Sequence, residues 1–493
     1  MSTLTVLAPL RIEARYARAG APDAHVVVAG AGPRRASALT TPGHHPVAVV
    51  GVCGAVDPTL APGDVIVAER VIGPGIDITL PNARVLAAEL RRAGLPARAG
   101  TIASVAHIAG AETRAQLHAA GVHAVDMESA WLVSACTDRP VVVVRVVVDT
   151  PSHPLMSPLT VPRGMTALRN LRRALPTLSR WSEVIMPRRA LLAEPRGFCA
   201  GVERAVTIVE RAIDRYGPPV YVRRQIVHNR HVVDDLARKG AIFVKELDEV
   251  PPGGRVVLAA HGVAPEVRVQ AVDRSLHTID ATCPLVAKVH AEVRRFAARG
   301  DTVLFIGHPD HEEVQGTVGE APDDIVVIEH PDDIARADVP DPQRVAFVTQ
   351  TTLAVDETRE IVDRLLALFP AAEGPAKEDI CYATQNRQDA VRALARECDL
   401  VLVVGSSNSS NSNRLVEVAR REGCVAHLVD DDEDLQLSWL EGVERIGITA
   451  GASAPEAMVQ RLLDALRGLG SLDVQTQVGI AEDVQFALPS EVR

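Results

Sequence analysis

Residues 401–415 read VLVVGSSNSSNSNRL. Four apolar residues run into Gly405, and a tract of small polar residues from Ser406 to Asn413 follows before Arg414 and Leu415. The apolar run predicts a buried strand that empties into the tract. Two readings of the tract are open. Gly/Ser/Asn tracts form solvated coil in linkers. Hydroxyls, amides and backbone N–H groups that converge where a helix begins form a cradle for an anion. The stretch alone does not choose between them.

Working outward, the same form recurs. RVVLAAHG (255–262), DTVLFIGH (301–308), LVLVVGSS (400–407) and RIGITAGAS (445–453) each read as a buried strand ending in Gly with His or Ser. In open parallel sheets ligands bind at strand C-termini, so several such ends meeting at one place predict a shared pocket with polar tips. The first half shows the same alternation of short apolar runs with helical patterns, in HVVVAGAG (25–32), PVAVVGVCG (46–54), GDVIVAERVI (63–72) and PVVVVRVVVD (140–149). The fold class expected from end to end is α/β with parallel strands. LRNLRRALPTLSRWSEVIMPRRA (168–190) predicts a helix followed by a junction. The expected organisation is therefore a domain over 1–182, a linker over 183–188 and a second domain over 189–493.

The 493 residues carry 47% hydrophobic and 3% aromatic side chains, which predicts aliphatic cores. A net charge of −11 argues against a chain wrapped on nucleic acid, which needs a basic face. No apolar run approaches the ~18 residues of a membrane span. The first residues, MSTLTVLAPL, have no basic residue before their apolar core and read as a first strand instead of a signal peptide. A cytoplasmic location is expected, with the seven cysteines as reduced thiols or metal ligands.

Cys53, Cys136, Cys398 and Cys424 lie in or beside apolar segments and read as inert core residues. Cys199 in PRGFCAGVERA, Cys283 in DATCPLVAKVH and Cys381 in EDICYATQNRQ each precede a helical stretch. Helix N-termini favour thiolate, the form that binds metal. Their wide spacing is not that of a zinc ribbon and suits one ligand from each of three units. Iron–sulfur clusters normally take four cysteines, so three would leave a position open, as catalytic zinc sites do.

GFCAGVERA, VHNRHVV, AAHGV, DATCPLVAKVH, GHPDHEEVQGT, VTQTTL, ICYATQNRQ, GSSNSSNSNRL and TAGASAP, in this order from about residue 189 onward, resemble the 4-hydroxy-3-methylbut-2-enyl diphosphate reductase family. The resemblance implies a pseudo-threefold arrangement of three small α/β units around a [4Fe–4S] cluster. It implies that Cys199, Cys283 and Cys381 hold this cluster, with the fourth iron open to substrate. The implied reaction is reductive dehydroxylation, giving isopentenyl and dimethylallyl diphosphate. Glu313 matches the family's proton donor, and Thr351 the residue beside that acid and the substrate hydroxyl. His228, His261, His311, Ser409, Ser410, Asn411 and Ser453 match the groups that hold the diphosphate. The implied partners are a small diphosphate substrate and an external electron donor such as ferredoxin or flavodoxin.

The first half, in VVVAGAGPRRA, GVCGAVDPTLAPGDVIVAERVI, HAVDMESAWL and RVVVD, resembles the nucleoside phosphorylase and nucleosidase superfamily. That likeness points to Glu128 as a ribose-binding carboxylate, Asp149 as the acid that protonates a departing purine, and Glu13 as a group that helps activate the nucleophile. Val148 stands where the superfamily motif has serine, which bears on how Asp149 is oriented. One subgroup of the superfamily acts on adenosylhopane. The alternatives are a degenerate or regulatory first domain and, for the whole chain, a zinc-dependent hydrolase or a nucleotide-sensing scaffold with a vestigial reductase.

Overall fold

The computed structural model describes residues 4–39, 44–155, 157–477 and 479–493. The chain is mixed α/β and divides into two compact units. One comprises Met1–Arg189 with Asp431–Glu444 and Gln460–Asp473, and the other Ala190–Asp430, Arg445–Val459 and Val474–Arg493.

In the first unit the opening stretch is a strand, Thr5–Ala8, buried throughout; residues 1–3 before it lie outside the described residues. It pairs in parallel with His25–Val28 and Val47–Ala55. Val141–Asp149 lies parallel to Val47–Ala55 on one side and antiparallel to Val65–Gly73 on the other. Those two strands are also joined the other way round, through Ala124–Asp126 and Ala97–Ser104. The sheet thus closes on itself. Closure leaves Val141–Asp149 without an open edge, and all nine of its residues are buried. The helix Thr160–Glu183 buries Leu168, Leu171, Leu175, Leu178 and Trp181 on one face, at the spacing of successive turns. It continues through Pro176 and ends at Glu183, and the next strand is Arg188–Leu192.

The second unit contains separate parallel sheets. One orders Ala241–Val244, Val220–Arg223, Arg255–Leu258 and His277–Asp280. Another orders Ile325–Ile328, Thr302–Ile306 and Val345–Thr349. In the third, Leu400–Val404 is flanked in parallel by Val425–Val429 and Arg445–Ala450. The four recurrent strand-to-glycine motifs are distributed over these three sheets. Among the described residues no helix is long and apolar enough to cross a membrane.

Candidate functional site

The stretch that raised the question is not a solvated linker. After the buried strand Leu400–Val404, the polar tract turns into the helix Ser410–Arg421, and Ser406, Ser409, Asn411 and Ser412 are all buried. Ser409 is the helix N-cap, and its Oγ accepts the Ser412 N–H at 3.3 Å. Glycine is required at Gly405, because a Cβ there would stand 2.2 Å from Ser412 Oγ. Ser453 Oγ donates to the His228 carbonyl at 3.0 Å, which ties the end of Arg445–Ala450 to the loop after Val220–Arg223 in the same unit. Thr352 Oγ1 donates to Ser410 Oγ at 3.1 Å.

His228, His261 and His311 come from separate loops and cluster. The rings of His228 and His261 stack with centroids 4.0 Å apart, and His311 stands edge-on at 5.5 and 6.0 Å. Burial, reinforced by the neighbouring histidines, lowers His228 to about 2 and His311 to about 4. Both are neutral at pH 7 while no anion is present.

Glu313 lies in the first turn of the helix Glu312–Val318 and is fully buried. Its Oε1 accepts the Thr351 N–H at 2.7 Å, and its Oε2 accepts Thr351 Oγ1–H at 2.9 Å. Burial pushes this carboxyl up to about 7 in spite of those two hydrogen bonds.

The three singled-out cysteines are N-caps of three helices, Ala200–Tyr216, Pro284–Ala298 and Tyr382–Glu397. Pro284 occupies a first-turn position, where its missing N–H costs nothing. Each cysteine does precede a helix, as expected; Cys283 follows the strand His277–Asp280 directly, whereas Cys381 closes a longer loop after the helix Val355–Leu368. Their helix N-termini do not make Cys283 and Cys381 thiolates. Burial dominates and raises Cys283 to about 11 and Cys381 to about 12. A Cβ at Gly201 would lie 2.7 Å from Cys283 Sγ and 3.8 Å from Cys199 Sγ, so the glycine keeps open a space between two sulfurs.

All of these groups line one cavity: the three cysteines, three histidines, Glu313, Thr351, Ser409, Ser410, Asn411 and Ser453. No lysine or arginine is among its lining residues. The family model for "LytB protein" matches residues 190–467.

The chain belongs to the LytB protein family.

A LytB relative from Mycobacterium sp. (strain JLS), named 4-hydroxy-3-methylbut-2-enyl diphosphate reductase, is 57% identical over 62% of this chain and 92% of its own length. The solved structure of the E-1-hydroxy-2-methyl-but-2-enyl-4-diphosphate reductase from Plasmodium falciparum is 37% identical, covers 62% of this chain and 97% of its own, and superposes with a TM-score of 0.60. The S-adenosylhomocysteine nucleosidase structure from Streptococcus pyogenes covers 36% of this chain and 96% of its own at 18% identity and a TM-score of 0.30. A likeness at that level carries no argument about function.

Sequence reasoning missed several residues that line the LytB cavity. Thr352 adjoins Thr351, and Thr384 lies three residues after Cys381, the spacing that places two helical residues on one face. Thr384 Oγ1 lies 3.1 Å from Cys381 Sγ and accepts from Asn411 Nδ2 at 3.2 Å, linking the cradle to a cysteine. Phe486 comes from a segment without regular structure, and nothing in its sequence pattern marks it.

In the first unit Glu13, Glu128 and Asp149 line one cavity. Glu13 accepts the N–H groups of Leu10 at 2.7 Å and Val52 at 2.9 Å, and Glu128 accepts that of Gly32 at 2.9 Å. Burial raises both carboxyls, outweighing the charge of Arg145. Asp149 is ion-paired with Arg114, and Val148 lines the same wall. Arg145, fully buried, sits 2.8 Å from Asp126 and 3.9 Å from Glu128 and donates to Ser129 Oγ at 3.1 Å. A lone arginine in the run VVVVRVVVD was the available signal, because a charge in a buried strand needs partners. Cys53, read as lacking polar companions, lines this cavity close to Arg145, Asp126 and Asp149, and burial raises its thiol. Cys136, Cys398 and Cys424 are buried.

Proposed function

We propose that the chain reduces (E)-4-hydroxy-3-methylbut-2-enyl diphosphate to isopentenyl and dimethylallyl diphosphate, the last step of the non-mevalonate isoprenoid pathway. The observation that carries this is the convergence in one cavity of three helix-capping cysteines, a buried carboxyl raised to about 7, and a cradle of neutral donors without lysine or arginine. The names of the relatives support the same reading.

Cys199, Cys283 and Cys381 would hold a [4Fe–4S] cluster. The donor set fits: three soft sulfurs face one cavity, and Gly201 keeps space between two of them. The raised pKa values of Cys283 and Cys381 leave these two inert as free thiols, so a metal must displace their protons. When bound, the cluster would pass on the carrier's electrons one at a time, two per turnover, and offer a Lewis-acid iron to the departing hydroxyl. Glu313 holds the proton that hydroxide needs in order to leave as water. Thr351 orients that carboxyl through two hydrogen bonds. When Glu313 is protonated, the Thr351 hydroxyl turns from donor to acceptor and passes a proton toward the substrate oxygen. Ser409, Ser410, Asn411, Ser453 and the three histidines grip the diphosphate. Charge-assisted hydrogen bonds are worth about 1.5–3 kcal/mol each, so seven donors replace a cationic clamp. The anion also draws protons onto histidines that are neutral without it. The electrons come from an external carrier such as ferredoxin or flavodoxin, and the reaction takes place in the cytoplasm, where thiols stay reduced.

The test is anaerobic purification of the full chain, visible absorption, iron and acid-labile sulfide analysis, and diphosphate-dependent oxidation of reduced methyl viologen. Iron with sulfide and substrate-dependent oxidation are expected. Zinc on the cysteines with no oxidation would return the zinc-hydrolase alternative. A full cluster without turnover would favour the vestigial-reductase scaffold.

A second reading concerns the first unit. We propose that Glu13, Glu128 and Asp149, distant in sequence and gathered at one cavity, form a purine nucleosidase or phosphorylase site. The full chain should release adenine from a 5′-substituted adenosine, adenosylhopane included, and Asp149→Asn should abolish the release. No release with or without phosphate would leave a degenerate domain.

A further inference from the structure

We propose that His228, His261 and Glu312 form a binding site for a divalent transition-metal ion of the zinc type, and that this ion excludes diphosphate from the cradle. The second clause rests on the proposed diphosphate reading; the first does not.

Each of the three side chains offers one ligand atom, and these atoms lie within 4.8 Å of one another. Both ring nitrogens of His228 are buried without a hydrogen-bond partner, and Nδ1 of His261 is buried facing Glu312. Buried polar atoms left this way carry a desolvation cost that a ligand relieves. His261 Nδ1 lies 3.4 Å from Glu312 Oε2. Zinc–ligand bonds of ~2.0–2.2 Å in a tetrahedral site put neighbouring ligand atoms about 3.3–3.6 Å apart. One ion can therefore take both atoms as they stand, and a small rotation of the stacked ring brings in His228.

Glu312 supplies the third ligand. A carboxylate directed at the histidines lets the site hold a cation when no diphosphate occupies the cradle. It is not there to serve Arg224, whose Nη1 is 3.8 Å from Oε1, longer than a hydrogen-bonded pair. Two imidazoles with a carboxylate suit zinc and its first-row neighbours, whereas magnesium and calcium prefer oxygen throughout. Exclusion follows from the nitrogens themselves. A metal occupies the ring lone pair and fixes the ring, but a phosphate oxygen needs an N–H at the same position. One nitrogen cannot provide both.

The test is equilibrium dialysis of zinc against the full chain with its cysteines loaded with cluster, wild type beside Glu312→Gln. Wild type should take up one saturable zinc, and Glu312→Gln should bind it at least about tenfold more weakly while retaining the cluster absorbance that reports an intact fold. Arg224→Gln, which removes the other charge near Glu312, should bind zinc at least as tightly as wild type. Equal affinity in Glu312→Gln, loss of zinc in Arg224→Gln, or no saturable zinc would overturn the site. Zinc should raise the KM for the diphosphate at unchanged kcat, reversibly on chelation, and Glu312→Gln should resist it. A fall in kcat at unchanged KM would overturn the exclusion. If no diphosphate turnover exists at all, the reductase reading fails, and the dialysis still decides the metal site.

Discussion

The cavity of the LytB unit and the cavity of the first unit differ in where they place charged side chains. The LytB cavity has no lysine or arginine in its wall, and two of its histidines and its central carboxyl are pushed toward their neutral forms by burial. The first unit's cavity sets arginines against carboxylates, Arg145 beside Asp126 and Glu128 and Arg114 beside Asp149, although burial raises Glu13 and Glu128 there as well. A site lined with neutral donors gains most from a ligand that brings its own charge. A site whose charges are already balanced suits a ligand that is neutral and rich in hydrogen-bonding groups. The diphosphate proposed above fits the first description, and the nucleoside proposed for the first unit fits the second.

The contrast can be broken most severely at the cysteines. Cys199→Ser, Cys283→Ser or Cys381→Ser should each lose the cluster and reduce reductase turnover to background, measured by visible absorption and viologen oxidation. Full cluster occupancy in any of them would defeat the ligand assignment. Glu313→Gln keeps the shape of the acid without its proton; turnover should fall by about 10²–10⁴, with cluster and substrate binding retained. Wild-type turnover should fall as pH rises through about 7, because the proton-donor role proposed for Glu313 needs its protonated form. The same sign governs stability. Folding raises this carboxyl from 4.5 to about 7, so the folded state holds the proton more tightly and loses stability as pH climbs across that window.

In the first unit the equivalent break is Arg145→Met. It strands Asp126 and Glu128 as buried, uncompensated carboxylates, at a cost of about 3–5 kcal/mol. Thermal unfolding should register the loss, and an unchanged midpoint would mean that the charges are not mutually balanced. The smallest effect is expected at Cys398→Ala, buried and remote from both cavities, with about 1 kcal/mol of destabilisation and unaltered activity.

Much of the fold was legible because apolar runs are local signals. PVVVVRVVVD became Val141–Asp149, and VLVVGSSNSSNSNRL became a strand, a turn and a helix start. Closure of the first sheet was not legible, since Val141–Asp149 must find two partners far away in sequence and either pairing alone would bury it equally well. Pro176 illustrates another limit: the helix runs through it because Leu175 and Leu178 on either side are both buried, and packing outweighs one lost hydrogen bond. Glu313 and Thr351 were legible through motif resemblance, and the structure adds that they hydrogen-bond one another. The rise of that carboxyl to about 7 depends on burial from all sides, which no motif records. Glu312 was visible beside Glu313 but unremarked, because its significance comes from the histidines around it.

The division into compact units bears on how this gene can be taken apart. The family match, 190–467, runs through Asp431–Glu444 and into Gln460–Asp473, segments that pack in the first unit. There Arg84 pairs with Asp431 and Asp432, at 2.6 and 3.1 Å. Scissors guided by sequence homology would cut near residue 190 and discard part of the scaffolding of the piece they meant to free. Domain shuffling or truncation at that point strips the first unit of segments encoded hundreds of codons downstream. The two compact units are not two consecutive stretches of chain, so each is best assayed on the undivided polypeptide.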